Sequence, residues 1–180
     1  MSQKIRIVGF SGCLRDESYN KAALRVAQEL LPQNAELEIL SIADLPCYSG
    51  DVSEDESTRD FVARLEQADA ILIVTPEYKS LISNALKSAL NWAGPAVLDG
   101  KLTAVMGFGR QAEAQAGQPL LRQLLARYGA EVLEGPELYA GREAFDDAGN
   151  LADEATRQQM RALLSALADK ARDARSVLVG

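Results

Sequence analysis

Ala70-Ile71-Leu72-Ile73-Val74 is the most apolar run in the chain, and it is continuous rather than alternating. A strand that is apolar on both faces needs cover on both faces, the condition of a central strand in a parallel sheet. Its neighbours in sequence fit that reading. Upstream, Ile5-Arg6-Ile7-Val8-Gly9-Phe10 reads as a first strand, followed by a loop and a helix with Ala23, Ala27, Leu30 and Leu31 on one face and Pro32 beyond its end. Leu37 to Leu40 reads as a second strand, and Ser41 to Glu56 as a long acidic loop containing Pro46 and Gly50. Ser57 is the expected N-cap of a helix reaching Gln67, with Asp60 as the acid of its first turn.

Downstream of Thr75, the recurrence of Leu86, Ala89 and Leu90 predicts a helix ending near Trp92, stopped by Gly94 and Pro95. Leu102 to Met106 gives a fourth strand, Leu120 to Tyr128 a helix, and Glu131 to Leu133 a short fifth strand. The last segment, Ala152 to Ala174, carries Met160, Leu163, Leu164, Leu167 and Ala171 on one face. Strands alternating with helices imply right-handed crossovers and a three-layer, doubly wound α/β domain. Five parallel strands suit the flavodoxin-like order 2-1-3-4-5. A ligand then belongs beyond the carboxyl ends of strands one and three, where the order reverses. The 180 residues suit one domain, 1–180.

Composition narrows the function. A net charge of −7 with no basic stripe argues against nucleic acid, whose phosphates are bound by clustered Lys and Arg. No apolar run approaches the about 20 residues of a membrane span, and the first residues lack a signal-peptide pattern, so a cytoplasmic protein is expected. Two cysteines, Cys13 and Cys47, make no disulfide scaffold. The absence of histidine removes the usual zinc sites and the histidine-based hydrolase triads.

The loop after the first strand reads Ser11-Gly12-Cys13-Leu14-Arg15-Asp16-Glu17-Ser18-Tyr19-Asn20 and runs into a helix N-terminus. Free amides and the helix dipole favour a phosphate there; Ser11, Ser18 and Asn20 offer donors and Arg15 a charged fork. The bland alternative has Ser18 or Asn20 merely capping the helix and Arg15 pairing with Asp16 or Glu17. The loop matches neither the P-loop ending nor the dinucleotide glycine pattern, so a single terminal phosphate fits best.

The second loop reads Thr75-Pro76-Glu77-Tyr78-Lys79, followed by Leu86-Lys87-Ser88-Ala89-Leu90-Asn91-Trp92. Together with Gly12-Cys13-Leu14-Arg15-Asp16-Glu17-Ser18-Tyr19-Asn20, and with Asp44-Leu45-Pro46 after the second strand, it resembles the NADPH-dependent FMN reductase family of flavodoxin-like quinone, chromate and azo reductases. The likeness runs from about Ile5 to Ala130. It implies FMN as cofactor, its phosphate held by Arg15, Ser18 and Asn20 with Ser11, Cys13 and Tyr19 assisting, and its ring lying along Pro76, Glu77, Tyr78 and Lys79. Pro76 stiffens that loop, and Tyr78 offers an aromatic body with a polar tip. Packing for Tyr78 and solvent for Glu77 are the alternatives. Trp92 reads as core or interface packing. In the third loop, Gly107 and Phe108 approach the flavin by the same resemblance, although Phe108 reads equally as a loop anchor or a contact to a partner subunit.

Three departures from the family pattern stand out. Cys13 replaces a serine, which puts a weak thiol donor beside Arg15 and a helix N-terminus, a place for either a reactive low-pKa thiol or an inert buried one. Lys79 stands where asparagine is usual; its ammonium either lies near the reduced ring or faces solvent. Ser80-Leu81-Ile82-Ser83-Asn84 lacks the usual Pro-Gly.

The resemblance implies an oxidoreductase that passes hydride from NAD(P)H through FMN to a quinone, azo compound, free flavin or metal oxyanion. The cofactor carries the chemistry, so no side chain is assigned as an acid-base catalyst. An electron carrier with a protein partner is the competing class, although its usual Thr-rich phosphate loop is absent. A receiver-type regulator would need clustered aspartates, and only Asp44 and Asp69 stand near strands. The family also implies a homodimer or homotetramer, with Leu81, Ile82 and Trp92 as interface candidates.

Overall fold

The structure is a computed structural model that describes residues 3–76, 78, 81–109 and 117–179. Glu77, Lys79 and Ser80 lie outside the described residues. The elements run β1 (Ile5–Ser11), α1 (Tyr19–Leu30), β2 (Ala35–Leu40), α2 (Glu56–Gln67), β3 (Ala70–Thr75), α3 (Asn84–Leu98), β4 (Leu102–Phe108), α4 (Gly117–Arg127), β5 (Glu131–Val132), β6 (Leu138–Ala140) and α5 (Glu154–Val179), with a 3-10 turn at Arg142–Ala144 before the last helix. The sheet is parallel in the order β2-β1-β3-β4-β5.

All six residues of β3 are buried. Ala70, Leu72 and Val74 join the core under α1 and α5, whereas Ile71 and Ile73 join the core under α2, α3 and α4. That division is the physical meaning of the unbroken apolar run: side chains alternate across a strand, and each face meets its own helical layer.

The outer position beside β4 departs from expectation, because two short strands share it. β5 pairs at Leu102 and Thr103, and β6 pairs at Met106 to Phe108. Between them stand Gly135 and Pro136, and a proline has no N–H to give a ladder. The sheet therefore has six strands in five positions.

Two helices also differ. Asp55, not Ser57, caps α2: its carboxylate accepts from the Thr58 amide at 2.8 Å, while the Ser57 hydroxyl donates to the same oxygen. Glu56 is the first-turn acid, and Asp60 pairs with Arg64 one turn later at 3.2 Å. In α3 the helix bends rather than stops. Gly94 takes φ 58°, which residues with a Cβ resist, and Pro95 opens a further helical stretch to Leu98. Among the described residues no helix is long and apolar enough to cross a membrane, and no group of three or more candidate metal ligands gathers.

Candidate functional site

Every crossover helix starts at the carboxyl ends of the strands, so the loops after β1 and β3 emerge side by side. Their bases are locked together. The Gly12 amide donates to the Val74 carbonyl at 2.9 Å, and the Ser83 hydroxyl donates to the Gly12 carbonyl at 2.6 Å. Ser83 also caps α3 by accepting from the Leu86 amide at 3.1 Å. A Cβ on Gly12 would lie 3.0 Å from Pro76 Cδ and 3.1 Å from Leu86 Cβ, an approach tight enough that a larger residue would push these neighbours back by a few tenths of an ångström.

Above that base, the Ser11 hydroxyl accepts from the Cys13 amide at 3.0 Å, and the Ser18 hydroxyl caps α1 by accepting from the Asn20 amide at 3.2 Å. Asn20 is 4% exposed, and its side-chain nitrogen donates to the Phe108 carbonyl at 3.0 Å. Its Oδ1 is buried without a hydrogen-bond partner. A buried acceptor left unpaired is costly, which marks this corner as awaiting a donor from a ligand. Among the described residues the Arg15 guanidinium makes one long contact, 3.5 Å to the Glu17 carbonyl, and is exposed. The first loop thus combines capping with spare capacity, where the sequence left these as alternatives.

Tyr19 is engaged by residues that precede α5. Its ring packs on Phe145 at a centroid distance of 4.5 Å, and its hydroxyl accepts from Arg142 Nε at 2.9 Å. Phe108 also contributes differently from expectation. Its ring is 1% exposed and packs on Phe145 at 5.4 Å, so what it offers the site is its carbonyl. Gly107 belongs to β4 rather than a loop, and a Cβ there would meet Gln118 Nε2 at 2.8 Å and Tyr139 Cδ2 at 2.9 Å. Trp92 is buried, as one reading had it: its indole donates to the Pro46 carbonyl at 2.8 Å and its ring meets Tyr48 edge-on at 4.9 Å.

In the second loop Tyr78 is 45% exposed and forms a two-bond bridge with Leu81, at 3.1 and 3.0 Å. Its hydroxyl meets the Cys13 thiol at 3.3 Å. Burial works to raise the Cys13 pKa, but hydrogen bonding from Ser18 and Tyr78 and the charge of Arg15 outweigh it, and the thiol titrates below its ordinary value. The Tyr78 hydroxyl moves oppositely, pushed up to about 12 by its bond to Cys13, by burial and by the thiolate charge. Cys13 is therefore both buried and more acidic than a free thiol.

A cavity of about 290 Å³ opens on the β2 side of the first loop, between Leu14, Leu24, Arg25 and Ile39. Ser11 and Cys13 line its inner end, and among the described residues none of its lining comes from the loops after β3 or β4.

Sequence reasoning missed Ser83 and the Asn20 contact to Phe108. Ser83 was legible as a helix cap ahead of Asn84, whereas nothing local links residues 88 positions apart.

The donor set fits FMN. A helix N-terminus and Arg15 provide for a phosphate, the Asn20 oxygen can accept from a neighbouring hydroxyl, and Tyr78 offers an aromatic edge for a planar ring. Comparison with known proteins agrees. Residues 5–144 match the family described as NADPH-dependent FMN reductase. An NAD(P)H-dependent FMN reductase of Pseudomonas aeruginosa is 36% identical over 177 residues, covering 93% of this chain and 95% of that one. A 2-hydroxy-1,4-benzoquinone reductase of a Burkholderia species is 34% identical over 184 residues, covering 97% and 100%. Among solved structures, a flavoenzyme NAD(P)H:(acceptor) oxidoreductase from Paracoccus denitrificans superposes with a TM-score of 0.83 at 29% identity, covering 94% of this chain and 98% of that one. The chain belongs to the NADPH-dependent FMN reductase family, and is an FMN-dependent NAD(P)H oxidoreductase.

Proposed function

We propose that the protein is a quinone reductase whose FMN phosphate sits at the N-terminus of α1 and whose flavin ring lies along the loop after β3. Asn20 carries this reading: it is buried, bonded through its nitrogen to the Phe108 carbonyl, and its oxygen, without a partner among the described residues, can accept from a hydroxyl of the cofactor's sugar chain next to the phosphate. Arg15, Ser11, Ser18 and the Cys13 backbone complete the phosphate end, and Pro76 and Tyr78 the ring end. Glu77 and Lys79 belong to the same loop and take ring-side roles by the resemblance.

FMN, when bound, supplies two-electron chemistry between a nicotinamide and an acceptor. The chain itself has to bind, orient and exclude water. Arg15 and the α1 amides neutralise phosphate charge. Tyr78 supplies an exposed aromatic surface at the ring end, against which a flat acceptor can pack. A chain with no histidine is suited to this work because no side chain need carry a proton. The quinone class is supported by relatives named as quinone reductases, among them one from Pseudomonas putida at 34% identity over 180 residues.

The chain works as one flavodoxin-like domain, in the cytoplasm, as a homodimer or homotetramer. Leu81, 59% exposed beside the site, supports a subunit contact there. Absorbance of the purified protein, recorded before and after anaerobic NADPH and then after a benzoquinone, tests the function. Flavin bands that bleach with NADPH and return with the quinone are expected. A bound flavin that neither NADPH nor NADH bleaches would instead point to an electron carrier.

A further inference from the structure

The loops after β1 and β3 are joined at their base by two hydrogen bonds, Gly12 to Val74 and Ser83 to Gly12. Further out they meet through side chains as well: the Cys13 sulfur and the Tyr78 hydroxyl, 65 residues apart in sequence and 3.3 Å apart in space. Cys13 is 5% exposed and held from behind by the hydrogen bond its amide donates to the Ser11 hydroxyl. Tyr78 is 45% exposed, so its hold on the site comes from the Leu81 bridge and this one side-chain contact rather than from packing in the core. Cys13 lies in the loop proposed above for the phosphate and Tyr78 in the loop proposed for the ring, so their contact joins the two loops that FMN would bridge.

We propose that Cys13 and Tyr78 form a clasp between the two loops, and that the clasp sets how long FMN stays bound. The inference rests on the FMN reading above and deepens it, because it makes the departure from serine at position 13 functionally tolerable. A thiol keeps a donor and an acceptor for the tyrosine hydroxyl, as a serine hydroxyl would. Both residues position the cofactor; neither is catalytic. Breaking the clasp leaves the base bonds intact, so the fold survives while the outer halves of the loops separate more readily.

The rate of FMN release tests this. Loaded protein is diluted and the rise of free-flavin fluorescence is followed for the wild type, Cys13→Ala, Tyr78→Phe, the double variant and Cys13→Ser. Tyr78→Phe and Cys13→Ala each release FMN about 3- to 10-fold faster, the range one net hydrogen bond supports. The double variant is no faster than the faster single, because both changes remove the same contact. Cys13→Ser stays near the wild-type rate, a rescue that lost packing would not give. Single variants that release at the wild-type rate, or single effects that multiply in the double variant, overturn the clasp while leaving FMN binding in place. A wild type that holds no FMN overturns the clasp and the FMN reading together.

Discussion

The two ends of the sheet are built on opposite terms. At the amino end, near the starts of β1 and β3, polar groups are paired across long stretches of sequence. Asp69 accepts from the Arg6 amide at 2.7 Å and forms an ion pair with Arg175, which also donates to the Gln3 and Lys4 carbonyls at 3.0 and 3.2 Å. Lys101 spends its ammonium on the Glu66 and Ala68 carbonyls at 3.0 and 2.7 Å, and burial lowers its pKa. At the carboxyl end the accounting is left open: among the described residues the Asn20 oxygen has no partner and Arg15 holds one long contact, and Tyr78 is half exposed. Groups satisfied within the fold stabilise it, whereas groups kept in reserve bind something from outside.

Substitution at the two ends should therefore separate stability from binding. Asp69→Ala strands the Arg175 guanidinium, three-quarters buried, among backbone carbonyls, and frees the Arg6 amide. The expected cost is about 2–3 kcal/mol, the scale for removing one partner of a partly buried charged network. In a domain of this size it lowers the melting temperature by roughly 4–12 °C. FMN affinity should be unchanged. If Asp69→Ala weakened FMN as much as it weakened the fold, the two ends would not be independent.

The converse variant is Arg15→Met. It removes a solvent-side guanidinium with a single long contact, so the melting temperature of the apoprotein should hold. FMN binding should weaken about 10- to 100-fold, the worth of a charge-assisted bond to phosphate. Riboflavin, which lacks the phosphate, is the internal control: its affinity should be the same for both proteins. Equal losses for the two flavins would move Arg15 from the phosphate to the ring end.

The same contrast explains what the sequence disclosed. β3 was legible because a doubly covered strand carries its environment in composition: Ala70 to Val74 had no polar residue to place on a solvent face. The cap of α1 was legible because Ser18 stands just ahead of the helix, a residue that serves a cap and a candidate phosphate loop alike. The split outer strand was not, since Leu138–Ala140 is three residues long and has no period to read. Asp55 and Ser57 are both good caps, and only the position of the Thr58 amide decides between them. Asn20 with Phe108, Tyr19 with Arg142 and Asp69 with Arg175 are products of tertiary packing, 88, 123 and 106 residues apart. A scan for local pattern sees the reserve groups of the site but not the partners that hold them.

A smaller effect sharpens the comparison by pH. The helices start at the carboxyl end, and two of them begin on carboxylates. Asp55 serves α2; Asp153 serves α5, accepting from the Thr156 hydroxyl at 2.6 Å and its amide at 2.8 Å. Both are held below the ordinary aspartate value of 3.8, Asp55 first by the Thr58 amide and Asp153 first by the Thr156 hydroxyl. A folded-state pKa depressed in this way contributes stability that is complete above 3.8 and is lost as pH falls through the lower folded value. Asp153→Asn keeps the accepting oxygen and removes only the charge. The wild type should unfold at a higher urea concentration than Asp153→Asn at pH 6, and the gap should close below pH 3.8. A gap that stayed constant across that range would mean that the charge at the start of α5 plays no part, and that geometry alone secures the helix ends around the site.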